Sequence, residues 1–163
     1  MTQHNWQAIY AWKKIAEGRQ SLPDEFLQLM ALWEAFNCWM RGCCPEGSDR
    51  NAVRSIAAQD ATMRCFEGLS REPKYRRRLR DLQKRGPVYE MRGGQRYDRA
   101  PQEIRNLASP EQVLLFIYSV RCNLFHGGKS PHDPSDTRLA QMAYDVLSPL
   151  FDRLLRETDE GQS

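Results

Sequence analysis

Residues 109–128, SPEQVLLFIYSVRCNLFHGG, decide the fold. Ser109 can cap a helix, Pro110 suits its first position, and Gln112 lies three residues after the cap. Val113 to Tyr118 are apolar at six consecutive positions. A helix with an apolar half would alternate in steps of three and four, so a run like this meets the core on every side. The stretch therefore predicts the central helix of a bundle, ended by Gly127 and Gly128.

The rest of the chain fits around it. Trp6, Ile9, Tyr10, Trp12 and Ile15 predict a short helix over 6–17, stopped by Gly18. Phe26, Leu29, Met30, Trp33, Phe36, Asn37 and Met40 predict a helix over 23–41, ended by Gly42. After a loop with Pro45 and Gly47, Ser48 or Asp49 caps a helix over 49–69, with Val53, Ile56, Ala57, Met63, Phe66 and Leu69 as its apolar positions. Pro73 interrupts the pattern, and a basic helix follows over 74–84. Residues 85–108, with Pro87, Gly93, Gly94 and Pro101, read as an irregular loop with at most one short turn. Asp136 is the expected cap of a last helix over 137–156, with Leu139, Ala143, Val146, Leu150, Leu154 and Leu155 on its buried face. Pro149 should kink or restart that helix, and Ser148 is placed to cap the second piece. No alternating strand pattern, repeat or low-complexity segment occurs. The expected fold is all-α: a bundle of about five helices forming one domain over 1–163.

At 163 residues and 40% apolar composition, the chain can bury one sizeable core. Its longest apolar run has six residues, against the roughly 20 of a membrane span. Lys13 and Lys14 follow the apolar residues near the start, the reverse of a secretory signal. A cytoplasmic protein with no membrane partner is expected. Cys38, Cys43, Cys44, Cys65 and Cys122 show no C-x-x-C pair and no zinc spacing, so reduced, buried, structural thiols are expected, with no metal and no cofactor.

The net charge of +3 is unevenly spread. Residues 71–85 hold eight Lys or Arg against Glu72 and Asp81. Arg76, Arg77, Arg78 and Arg80 are candidate contacts to an RNA backbone, with Tyr75 and Tyr89 near enough in sequence to stack on bases. A solvated helix face is the competing reading.

Of three histidines, His4 lies near the terminus and His132 in a proline-bounded loop. His126 ends the central helix, where the dipole favours the imidazolium. Arg121 interrupts the same helix, and a buried guanidinium needs a partner or an anion. Asn123 lies three residues before His126 and shares its face. Arginine, amide and histidine together suit a phosphodiester: charge neutralisation, orientation and proton transfer. Chance matches to the bare Arg-to-His spacing are frequent among so many arginines, so the helical context carries the argument. One protomer offers one such histidine, and strand scission needs a proton removed and another donated. A two-fold dimer that juxtaposes the Arg121–His126 helices would supply both. Lys129 is a candidate phosphate contact beside His126. Asn37, Tyr118 and Cys122 are candidate supports around Arg121 and His126, while Gly127-Gly128-Lys129-Ser130 lacks the strand and spacing of a phosphate loop.

These residues resemble the HEPN superfamily, helical domains marked by an arginine, four to six residues, and a histidine. The string IYSVRCNLFHGGKSP (117–131) is similar to the Apea-like HEPN group, as are Asp133, Asp136, Leu139 and Ala143–Leu147 after it, and Leu32–Asn37 in the second helix. The resemblance implies a metal-independent endoribonuclease acting as a homodimer, with Arg121 and His126 catalytic. It further implies a toxin or phage-defence effector, held silent by an antitoxin or nucleotidyltransferase partner. One departure stands out: active members often carry Asn, Asp or His directly after the arginine, and this chain carries Cys122. Asn123 is the candidate for that polar role. The alternative is a non-catalytic HEPN-fold module that binds RNA or a protein in the same groove.

Overall fold

A computed structural model describes Tyr10 and residues 13–92, 95–96, 100–125 and 131–161. The fold is an all-α bundle. A helical turn at residues 13–16 ends at Gly18, whose φ of 69° lets the Arg19 N–H reach back to the Lys14 carbonyl at 2.9 Å. Six helices follow among the described residues: α1 (Asp24–Cys43), α2 (Asp49–Ala57), α3 (Asp60–Ser70), α4 (Pro73–Gln83), α5 (Pro110–Phe125) and α6 (Pro134–Gly161).

The central position of α5 follows from its composition. Val113, Leu114, Leu115, Phe116, Ile117 and Val120 are all buried, and the helix touches α1, α2, α3 and α6. Phe26, Leu29, Trp33, Phe36 and Met40 recur at steps of three and four on α1, which packs chiefly on α6. All six helices contribute to one continuous apolar cluster, which also takes in Val88 and Ile104.

The sequence predicted one helix over 49–69; the structure has two. Gln59 is extended (φ −71°, ψ 140°) between α2 and α3. At about 100° per residue, an unbroken helix would put Ile56 and Ala57 nearly opposite Phe66 and Leu69. The break turns both faces to the core. Met63, expected on the buried face, is instead 46% exposed.

The last helix starts earlier and runs further than expected. Its cap is Asp133, not Asp136: the Asp133 carboxylate accepts from the Ser135 N–H at 2.8 Å, and its carbonyl accepts from Asp136 and Thr137. The helix passes through Pro149 without restarting at Ser148. Proline has no N–H to give the carbonyl of Asp145, four residues back. Arg78 Nη1 of α4 donates to that carbonyl at 3.2 Å, and the buried Tyr75 hydroxyl donates to the Val146 carbonyl at 3.1 Å. Arg78 thus supplies the bond that Pro149 removes, and Tyr75 adds a bond at the next carbonyl. Leu155 lies at the rim and is partly exposed. Likewise α1 continues through Gly42 to Cys43.

Residues 85–108 carry more order than a loop with one turn. Strands β1 (Met91–Arg92) and β2 (Gln95–Arg96) pair antiparallel, and Val88 and Gln102 exchange backbone hydrogen bonds at 2.8 and 2.9 Å. Side chains tether the segment. Gln83 Nε2 donates to the Ile104 carbonyl at 2.9 Å. Gln112 does not complete a capping box with Ser109; its Oε1 accepts from the Arg105 and Asn106 N–H groups, each at 2.8 Å. Ser109 does cap α5, accepting from the Gln112 N–H. Pairings of this kind between distant residues have no periodic signature, which is why the sequence pattern does not reveal them.

No helix among the described residues is long and apolar enough to cross a membrane. The cysteines are free but not uniformly buried: Cys38 and Cys43 are exposed, Cys44 is intermediate, and Cys65 and Cys122 are buried.

Candidate functional site

Arg121 leaves the apolar stretch of α5 on the side facing α1. Its guanidinium carbon lies 5.8 Å from the centroid of the Trp33 ring, and Nη2 lies 3.4 Å from Glu34 Oε1. The Arg121 side chain is 16% exposed, whereas Glu34 is largely solvated. The arginine is thus held at the protein surface on an aromatic face, with one loosely placed carboxylate beside it. Such a guanidinium can exchange that carboxylate for a phosphate oxygen.

Trp33 belongs to a longer stack. Its ring lies 5.8 Å from Tyr118, and Arg50 at the start of α2 sits 5.8 Å over the other ring of that pair. Arg50 in turn pairs with Glu90 at 3.0 Å, with both side chains about nine-tenths buried. Two arginines therefore bracket two aromatic rings across α1, α2 and α5.

Tyr118 and Cys122 are one turn apart on α5 and influence each other's titration. Burial pushes both groups above their usual pKa, with the Cys122 charge adding to the rise at Tyr118. The Tyr118 hydroxyl and the Arg121 guanidinium pull the thiol partly back. Cys122 therefore sits beside the arginine as a thiol rather than a thiolate at neutral pH.

Asn123 is placed apart from Arg121. Two residues along a helix turn it by about 200°, toward the 85–108 segment. The residue is only 2% exposed, and its Nδ2 donates to the Tyr89 carbonyl at 2.8 Å. Asn37 lies one turn after Trp33 on α1, with its Oδ1 buried and without a hydrogen-bond partner. No bond links it to Arg121 among the described residues. His126 and Lys129 lie outside the described residues.

The basic helix divides by task. Arg78 serves the Asp145 carbonyl that Pro149 leaves without a helical donor, and Arg76 Nε donates to the Ser70 carbonyl at 3.0 Å. Arg77 and Arg80 project into solvent from the same helix. Tyr75, considered for base stacking, is buried against Phe66 instead.

Three members of the site escape sequence reasoning: Glu34, Arg50 and Glu90. Arg50 had a usable signal, since it lies three before Val53 and seven before Ala57, on the buried face of α2. Glu34 and Glu90 had none, because their partners are distant in sequence. Comparison of the chain with models of protein families, with curated proteins and with solved structures gives no match in any of the three.

Proposed function

We propose that this protein is a metal-independent endoribonuclease of the HEPN type, working as a homodimer through the α5 helices. The observation that supports it best is Arg121: the one charged side chain of α5 beyond its first turn, placed on the Trp33 ring and 3.4 Å from the solvated Glu34 carboxylate. A guanidinium held on an aromatic face beside a solvated carboxylate can exchange that carboxylate for a phosphate oxygen.

In the proposed mechanism, neutral His126 of one protomer takes the proton of a ribose 2′-hydroxyl. The 2′-oxygen forms a bond to the adjacent phosphorus as the bond to the 5′-oxygen breaks. Arg121 donates to the non-bridging oxygens, where charge accumulates. Protonated His126 of the partner subunit gives its proton to the departing 5′-oxygen. The products are a 2′,3′-cyclic phosphate and a 5′-hydroxyl. Lys129, Arg77 and Arg80 would hold the RNA backbone. On this reading the protein works in the cytoplasm as a toxin or defence effector, kept silent by an antitoxin or nucleotidyltransferase partner.

A second reading has its own support. The residue after Arg121 is a buried thiol, and the amide of Asn123 already serves the Tyr89 carbonyl. A thiol directly after the arginine, where a polar side chain would help the chemistry, suits a module that binds RNA without cutting it. Cleavage of end-labelled single-stranded RNA in the presence of EDTA separates the two. Cutting by the wild type and not by His126→Ala or Arg121→Gln, with cyclic-phosphate ends, is the expected result. Equal cutting by both variants would remove these residues from the reaction. Binding without cutting would favour the module.

A further inference from the structure

We propose that a polar groove at the start of α2 is a second contact for the RNA strand, taking a phosphodiester upstream or downstream of the one at Arg121. The inference rests on the ribonucleic-acid reading above and extends it to a site that reading does not use. The groove has a volume of about 450 Å³ and is lined by Ser48, Arg50, Asn51, Arg54, Ala100 and Gln102.

Arg50 carries the argument. It is 7% exposed, yet it lines the groove. Glu90 and the Tyr118 face hold it in place. Among the described residues its hydrogen bond is from Nη1 to Glu90. A guanidinium has five N–H donors, and those that Glu90 does not take are open to the groove that Arg50 lines. The free donors belong to a group that is fixed, charged and at the wall of an open groove. An acceptor that enters gains hydrogen bonds without paying to order the arginine.

The surroundings select the acceptor. Arg54 projects at the same groove from one turn further along α2, half exposed, 3.5 Å from Glu111. A solvated pair at that distance is weak and exchanges readily. The other carboxylates nearby are already held: Asp49 pairs with Arg41, and Glu90 with Arg50. The amides of Asn51 and Gln102 and the Ser48 hydroxyl add neutral donors. Two guanidiniums with amide and hydroxyl donors suit a singly charged, multi-oxygen anion, which is the chemistry of a phosphodiester.

The aromatic stack fixes the spacing. From Arg50 through Tyr118 and Trp33 to Arg121 there are three steps of 5.8 Å. The two guanidiniums are therefore no more than about 17 Å apart, which a stacked strand rising about 3.4 Å per nucleotide covers in about five nucleotides. Strands of about that length are therefore long enough to engage both.

The test is the length dependence of RNA handling. Binding and cleavage are measured for oligonucleotides of two to twelve nucleotides, with non-cleavable 2′-O-methyl versions for binding. Arg54→Gln and Asn51→Ala are compared with Arg156→Gln, an exposed arginine near the end of α6. Arg50 itself is left intact because its removal strands Glu90 and risks unfolding. For the wild type, affinity should rise steeply up to about six nucleotides and then level off. The Arg54→Gln, Asn51→Ala double variant should lose about three- to tenfold in affinity for the longer strands only, and its salt slope should fall by about 0.7. Arg156→Gln should match the wild type. An unchanged length dependence in the double variant, with RNA still bound or cut, overturns the groove and leaves the ribonuclease reading standing. Equal loss in Arg156→Gln overturns it too, by reducing the effect to net charge. A wild type that neither binds nor cuts RNA of any length removes both readings together.

Discussion

Asn123→Ala tests whether a residue chosen for chemistry is instead a clasp. Its Nδ2 donates to the Tyr89 carbonyl at 2.8 Å, and the residue is 2% exposed. Tyr89 follows Val88, whose backbone exchanges two hydrogen bonds with Gln102. Glu90, next in sequence, pairs with buried Arg50. One amide thus anchors the centre of the 85–108 segment to the central helix. Removing it leaves a part-buried carbonyl without its donor, at a cost of about 1–2 kcal/mol. For a chain of this size each kcal/mol lowers the melting temperature by roughly 2–4 °C, so a fall of about 2–8 °C is expected. The effect should be local as well. In hydrogen exchange, the Val88 and Gln102 amides should lose protection by more than those of Val113 to Ile117. Any RNA cleavage, scaled to the folded fraction, should stay within about threefold of wild type. An unchanged melting temperature and unchanged exchange, combined with lost cleavage, would refute the clasp and return Asn123 to the reacting atoms.

Three further outcomes follow from the same geometry. Glu34→Gln removes the solvated carboxylate that competes with phosphate for Arg121; RNA affinity in a fluorescence-anisotropy titration should rise by about 1.5- to fivefold, and a fall would mean that Glu34 orients the arginine instead. Arg78→Gln should cost about 1 kcal/mol in urea unfolding, and less in a Pro149→Ala background, where the helix regains the N–H that Asp145 lacks; equal costs in both backgrounds would detach Arg78 from the carbonyl that Pro149 frees. In a native thiol titration at pH 8, exposed Cys38 should react first, while Cys65 and Cys122, buried and with raised pKa, should react only on unfolding; early modification of Cys122 would show that the Arg121 side of α5 opens.

What the sequence made legible is what periodicity records. The consecutive apolar run of α5 could only be satisfied in the centre, and the spacing Phe26-Leu29-Trp33-Phe36-Met40 could only be one helix face. The split between α2 and α3 was legible in principle, because the two apolar faces point about 200° apart on one helix, but a list of apolar residues without their angles conceals it. The site divides the same way. Arg121 declares itself as a charge inside an apolar helix. The meaning of Arg78 does not, because a basic helix on the surface and a basic helix that bonds a carbonyl freed by a proline have the same composition. The difference lies in Pro149, 71 residues later, and only the tertiary fold brings the two together. Arg50 and Glu90 make the point from the other side. A buried ion pair is weak evidence for stability, since an apolar pair of the same volume would often do as well. Under the proposed RNA contact, the pair's use is to hold a fixed guanidinium, stacked on Tyr118, at the wall of a groove. That step needs the geometry and the count of unused donors together, and no stretch of sequence contains both.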